Sequence, residues 1–467
     1  MSIKSNDKPN VVLIIMDATR TDHLSCHGYY RETAPNLEAL AGEGVLFENA
    51  ISAAPWTLPS ITSIFTGTYP SRHGNRTLHS VMDDGLLTLA QILTSQGYST
   101  AAFHTAGYIG PSWRTDKGFQ QIQGRLFRDR NLVELFEHAV VRVRDILTNN
   151  NDCGASWINN QVQDWVTNCH EPFLLYLHYM EPHVKYRSPW PYCWQYLNDP
   201  SDWIRSLRVN RRRTWIEWLV GQVTLEAADF EILANLYDGA INYLDKKIGE
   251  VVSMLRQRGI LDNSVLIVTA DHGENLGDHG MMGHQWCLYE TLIKVPLIIR
   301  YPEAFPPGLR ISGLVQTVDI LPTLIDILQI TSDELSDQLQ GQSLISEGRI
   351  CPRRRYGFAE EVGYGIETWS QKYPEFDFSP FDRELRAIRT DRYKYIWSSN
   401  GQDELYNLVN DPKELHNLIA EFPSEVSRLS KILQDWHQQS SAGAFARRTT
   451  ELDESVERRL RDLGYIG

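Results

Sequence analysis

No apolar run in the 467 residues approaches the roughly 18 that a helix needs to cross a bilayer. The first ten residues, MSIKSNDKPN, lack the apolar stretch of an export signal, so a cytoplasmic protein without a membrane partner is expected. A basic tract of the kind that binds nucleic acid is missing too. Lys and Arg number 45 against 59 Asp and Glu, a formal net charge of -14, which argues against a nucleic-acid partner and repels anions at long range. Any anion site must therefore be built locally, from a metal and a few cations. Cysteine is scarce. Cys26, Cys153, Cys169, Cys193, Cys287 and Cys351 lie far apart with no C-x-x-C pair, which speaks against structural zinc or a disulfide framework and for free, mostly buried thiols. Internal repeats and low-complexity tracts are absent as well.

What is present is a large apolar fraction, 42% AVILMFWYC, on a chain long enough for one large and one small domain. Val11–Met16 is a continuous aliphatic run ending in Asp17, as expected of a strand buried on both faces of a parallel sheet. The stretch 33–44 has leucines one turn apart and a glycine stop, which predicts a helix. Further helices are expected near 86–95 and 240–258, and strands at 99–103, 173–177, 265–269 and 295–299. This alternation implies a doubly wound α/β sheet over residues 1–350. Two stretches rich in Trp, Arg and Asn, about 125–168 and 188–228, interrupt it and read as helical insertions that either shape substrate access or pack the surface. Composition changes at ICPRRR (350–355), so 351–467 is expected to be a small C-terminal α+β domain. Within it RAIRTDRYKYIW has the content of strands, and 424–437 reads as a terminal helix with Ser424 as its N-cap.

Asp17 closes one aliphatic strand, and Asp271 with His272 closes another in VLIVTADHGE. One carboxylate at such a place commonly caps the next helix; two, with an adjacent imidazole, favour a divalent cation, for which Mn, Mg, Zn and Ca all fit. Between them lies APWTLPSITSIFTG, where Thr57 precedes a helical run. A threonine there is ordinarily an N-cap. A helix N-terminus beside a cation is also an anion site, in which Thr57 could attack phosphorus or sulfur.

In order along the chain, Asp17 in NVVLIIMD, TLPS at Thr57–Ser60 followed by FTGTYPSRHG, LHYMEPH, ADHGE and GHQWCLYETLIKVPLIIR resemble the signatures of the sulfatase family within the alkaline phosphatase superfamily. RTDRYKYI, ELYNLVNDPKELHNL and the final LGYIG resemble its C-terminal region. The resemblance implies an alkaline-phosphatase-like mixed sheet flanked by helices, with an antiparallel sheet in the smaller domain. It implies one divalent metal held by Asp17, Asp271, His272 and Thr57, with Thr57 also the nucleophile. His183 and His284 match positions that contact substrate or donate a proton; His183, which follows a proline, could equally be a satisfied loop residue.

Three positions depart from the family pattern. Thr57 stands where sulfatases carry the Cys or Ser that becomes formylglycine, Ile61 replaces the arginine of that motif, and Ala18 replaces the second aspartate of the usual pair. Threonine cannot give the aldehyde. Superfamily phosphodiesterases and phosphoglycerol transferases resemble this site with an unmodified threonine, so the expected activity is hydrolysis of a small-molecule phosphate or phosphonate ester. A sulfate ester cleaved by unmodified Thr57 is the alternative, and an inactive binding protein a third reading. Hydrolase versus transferase stays open, as does a homo-oligomeric state.

Overall fold

β1 (Asn10–Met16) is buried along its whole length: strands hydrogen-bond to it on both edges and its side chains pack into the main hydrophobic core. The computed structural model describes residues 8–125 and 152–442 except 353 and 364, together with a few positions between 449 and 460. Besides β1, its large sheet contains β2 (Val45–Ile51), β3 (Ser99–His104), β4 (Gln121–Gly124), β5 (Phe173–Tyr179) and β6 (Ser264–Thr269). A short hairpin, β7 (Asn275–Leu276) and β8 (Met282–Gly283), precedes its last two strands, β9 (Lys294–Arg300) and β10 (Leu309–Gln316). The order is β10-β2-β9-β6-β1-β5-β3-β4. Neighbours run parallel, except that β9 lies antiparallel to both β2 and β6. The doubly wound α/β sheet expected from the alternating pattern, with the mixed strand direction that the resemblance implies, is thus found. A continuous apolar run carries no directional signal, which is why β9 reads like its parallel neighbours in sequence.

Helices cover the sheet, among them Pro35–Glu43, Thr57–Thr66, Leu89–Ser95 and the 31-residue helix Ala227–Gln257. The insertion expected at 125–168 contributes the helix Ala155–Asn168; its 126–151 portion lies outside the described residues. That expected at 188–228 forms the helices Asp202–Val209 and Thr214–Leu219. No described helix is long and apolar enough to cross a membrane.

After a two-stranded pair, β11 (Ile345–Ser346) and β12 (Arg349–Ile350), the chain forms an antiparallel sheet β13 (Gly357–Val362), β14 (Glu384–Arg389), β15 (Tyr393–Ser398) and β16 (Glu404–Asn407). Ala359, Leu385, Ala387 and Ile396 of this small sheet pack with Ile51, Leu288, Leu292 and Leu314 of the large unit. The Glu360 N–H also donates to Ala53 O at 2.9 Å, so the small sheet grips the loop that leads into Thr57. The terminal helix Pro423–Ser440 packs behind it. Ser424 is not its N-cap, as the sequence had suggested: the helix begins at Pro423, whose fixed φ suits the first helical position. All six cysteines are free, but only Cys26 and Cys287 are buried; Cys153, Cys169, Cys193 and Cys351 are partly exposed, contrary to expectation.

The core also holds His73 beneath the Thr57–Thr66 helix. Its Nδ1 accepts the Asn75 N–H at 3.2 Å, which leaves Nε2 to donate to Ser63 Oγ at 3.0 Å. Burial lowers its pKa from the usual 6.5 to about 3. The neutral form is therefore favoured by folding: this stabilisation is complete above pH 6.5 and is lost as pH falls toward 3, because the unfolded chain takes up the proton first. A His73→Gln variant should accordingly show a melting temperature less sensitive to pH between 6.5 and 4 than the parent. An unchanged pH slope by calorimetry would contradict this assignment.

Candidate functional site

Strand register brings the candidate residues together. In the parallel sheet Ile15 of β1 pairs with Thr269 of β6 on one side and with His178 of β5 on the other. The chain beyond each strand therefore emerges at the same edge, the carboxyl ends where open α/β sheets bind ligands. Asp17 follows β1 directly and donates its N–H to Tyr179 O at 2.9 Å. Asp271 and His272 follow β6, and the Asp271 Oδ1 accepts the N–H groups of Ala18 at 3.3 Å and of His272 at 3.0 Å. Ala18 sits at φ +54°, a left-handed conformation costly for a residue with a Cβ. Tyr237 from the long helix holds this turn, donating to Ala18 O at 2.6 Å and accepting the Arg20 N–H at 2.8 Å.

Thr57 is the first residue of the helix Thr57–Thr66, not its cap: Trp56 occupies that position and no side chain caps the helix. Its hydroxyl is turned to the sheet edge, with Oγ1 3.2 Å from His272 Nε2. Ser60, one turn on, fastens the helix in this pose by donating to Asp271 O at 2.7 Å, while its Oγ also meets Ser52 Oγ at 2.9 Å. Ile61, where the family has arginine, is fully buried in the core.

The donor atoms fit a cation. His272 Nδ1 donates to Gly273 O at 2.7 Å, which leaves the Nε2 lone pair facing Thr57 Oγ1 and lying 3.6 Å from Asp17 Oδ1 and 3.6 Å from Asp271 Oδ2. Two ligands at right angles around one ion, each ~2.1–2.6 Å from it, are about 3.0–3.7 Å apart. Asp17 Oδ1 and Asp271 Oδ2 are buried without any hydrogen-bond partner, a costly state for a carboxylate that lacks a compensating positive charge. Burial and the Asp17 charge push the Asp271 pKa up. At Asp17 burial is outweighed by His178, whose Nε2 lies 3.0 Å from Oδ2, and by the nearby His183 and His272 rings, which together hold its pKa down.

His183 and His284 complete the group. The ring centroids of His272 and His284 are 4.5 Å apart, and those of His183 and His284 4.9 Å. His183 Nδ1 donates to Val184 O at 2.8 Å, and burial lowers its pKa to about 4. All six residues singled out in the sequence, Asp17, Thr57, His183, Asp271, His272 and His284, thus converge, and none is more than 2% exposed. A cavity of about 550 Å³ lined by Asn49, Glu290, Lys294 and Arg389 includes none of them.

Sequence reasoning gave no role to two residues found here. His178, inside LHYMEPH, points Nε2 at Asp17 Oδ2 from 3.0 Å. Glu274, inside ADHGE, is fully buried with neither carboxylate oxygen hydrogen-bonded, its Oε2 3.5 Å from His284 Nδ1. Their motifs were visible, but which strand would lie beside β1 was not.

The sulfatase family profile matches residues 9–330, well over half the chain, and that of the C-terminal region of N-sulphoglucosamine sulphohydrolase matches 277–440. The chain belongs to the sulfatase family. An arylsulfatase of Clostridium perfringens is 27% identical over 91% of this chain and 94% of its own length. The phosphonate monoester hydrolase of Agrobacterium radiobacter superposes with a TM-score of 0.70 at 22% identity, covering 96% of this chain and 98% of that one. BT4656, solved with its substrate D-glucosamine-2-N,6-O-disulfate, superposes with a TM-score of 0.71 at 19% identity, covering 94% and 99%. At such identities the two structures establish a shared fold. Sulfatase-family members are metal-dependent, in keeping with the buried Asp17, His178 and Asp271 cluster.

Gly273 shows how tightly the centre is built. Its N–H donates to Leu292 O at 2.7 Å, and a Cβ placed on it would lie 2.0 Å from Thr291 O. Gly273→Ala must push the Asp271–His272 segment off the helix Glu290–Ile293. The variant should stay folded by circular dichroism yet bind Mn²⁺ at least tenfold more weakly in equilibrium dialysis; wild-type affinity would show that this backbone does not set the ligand positions.

Proposed function

We propose that the protein is a metal-dependent hydrolase that cleaves a phosphate or phosphonate ester with Thr57 as nucleophile. One observation carries this reading: the Thr57 hydroxyl lies 3.2 Å from His272 Nε2, on a helix N-terminus facing two buried carboxylates. A divalent ion held by Asp17, Asp271, His272 and Thr57 would lower the hydroxyl's pKa and offset the charge of an anionic ester. The helix N-terminus contributes only about half an elementary charge and serves mainly to aim N–H groups at the ester oxygens. Thr57 Oγ1, its proton released to solvent as the hydroxyl ionises, bonds to phosphorus while the phosphorus–oxygen bond to the alcohol breaks, and the departing oxygen takes up a proton. The product is an ordinary threonine ester, which water must attack directly.

His284 and His183, whose rings lie in sequence beside that of His272, are the candidates to protonate the leaving alcohol. Burial keeps both largely neutral in the free protein. A bound anion raises their proton affinity, so the proton is acquired with the substrate. Selectivity for phosphorus follows from Thr57 itself, since a formylglycine hydrate expels sulfate by collapsing to an aldehyde and a threonine ester has no such exit. The arylsulfatase relative and the sulphohydrolase profile support a sulfate ester as the second reading. An inactive binding role fits poorly with a hydroxyl and three further donor side chains, Asp17, Asp271 and His272, held this closely.

Metal-loaded protein assayed against nitrophenyl phosphate, phosphodiester, phosphonate ester and sulfate decides between them. The expected result is turnover of a phosphorus ester, loss of at least 10³-fold in Thr57→Ala, a drop expected when a nucleophile is removed, and partial activity in Thr57→Ser. Mass spectrometry of quenched reactions should find the phosphoryl or phosphonyl group on the peptide containing Trp56–Ser60. Faster cleavage of the sulfate ester than of every phosphorus ester, or full activity in Thr57→Ala, would overturn the proposal.

A further inference from the structure

We infer that His178 is a direct ligand of the cation, supplied by β5 to a site at which residue 18 offers no donor atom. The inference rests on the metal reading above. Ala18, next to Asp17, contributes to the centre only its backbone N–H, which is spent on Asp271 Oδ1. On the opposite side of Asp17, β5 places His178 with Nε2 3.0 Å from Asp17 Oδ2 and 3.8 Å from Asp271 Oδ2. The ring nitrogen therefore sits on the seam between the two carboxylates. One donor atom each from Asp17, His178 and Asp271 all lie within 4.8 Å of one another, the spacing of groups that share an ion of the size considered above.

The surroundings of His178 match this role. It is fully buried, its ring enclosed by the core of β5, so the side chain has little freedom to turn elsewhere. Its Nδ1 lies 2.9 Å from the Tyr176 hydroxyl, which accepts as readily as it donates. With Nδ1–H donated to Tyr176, the Nε2 lone pair faces Asp17 Oδ2, an arrangement that a cation between them makes attractive. Asp17 Oδ1 and Asp271 Oδ2 remain without hydrogen-bond partners when His178 is in place. A purely hydrogen-bonding histidine would therefore leave half of each carboxylate unsatisfied, whereas a shared ion engages both. The centre then holds two imidazoles, His178 and His272, which favours Mn²⁺, Zn²⁺ or another nitrogen-binding ion over Ca²⁺.

Loss of affinity alone does not separate a ligand from a residue that orients one, because outer partners also cost about 10–100-fold in affinity. The number of nitrogens on the metal does. Electron spin-echo measurements on the full chain loaded with Mn²⁺ should count two coordinated imidazole nitrogens in the wild type and one in His178→Ala. Ala18→Asp in the His178→Ala background should recover at least tenfold of the Mn²⁺ affinity lost, since it returns a donor to the same ion. One nitrogen in the wild type overturns the inference and leaves the Asp17, Asp271 and His272 site standing, and it does so even if the His178→Ala chain fails to fold. An absence of Mn²⁺ binding in the wild type would instead overturn the metal reading itself.

Discussion

Asp17 and Asp271 are two carboxylates buried side by side at the ends of adjacent parallel strands, and the site is organised around that pairing. Their ligand atoms lie within 4.8 Å; at an effective dielectric of about 20, two full negative charges at that separation repel by about 3.5 kcal/mol. Burial of one oxygen of each, Asp17 Oδ1 and Asp271 Oδ2, without a hydrogen-bond partner adds to this cost. The register of β1 against β6 nevertheless enforces the pairing, Ser60 and Ser52 fasten a helix start to it, and Tyr237 and Gly273 hold the two turns in place. The divalent cation proposed above would offset that repulsion.

Much of this was legible in the sequence. Aliphatic runs ending in Asp17 and in Asp271–His272 announced both the buried parallel sheet and its ligand-bearing edge, because only a strand covered on both faces reads as continuously apolar. The RAIRTDRYKYIW hairpin of the small sheet was visible for a similar reason, its β-branched and aromatic content. What stayed hidden depended on pairing over long distance. His178 looks like any polar interruption of a strand until β5 is known to lie beside β1. The antiparallel course of β9 has no local signature, and Glu274 gains its isolation only from the loop that folds over it. Ser424 failed as a cap because the proline before it starts the helix first.

The departures from the family pattern have a consistent structural outcome. Ile61 is absorbed into the core and brings no charge to the centre. Ala18 adopts a turn that spends its N–H on Asp271, and on the inference above His178 of the neighbouring strand supplies the further ligand. By the motif resemblance Thr57 stands at the nucleophile's position, without the aldehyde chemistry of formylglycine. On the proposed mechanism the reaction passes through an ester that water resolves, the reason a phosphorus ester is proposed ahead of a sulfate.

The claim on which all of this rests is that one cation occupies the point between Asp17, Asp271 and His272. Anomalous diffraction from crystals grown with Mn²⁺ tests it most directly. A single strong peak about 2.0–2.6 Å from Asp17, Asp271, His272 Nε2 and Thr57 Oγ1 is predicted. A peak elsewhere, or none with Mn²⁺ in excess of the protein, would contradict it.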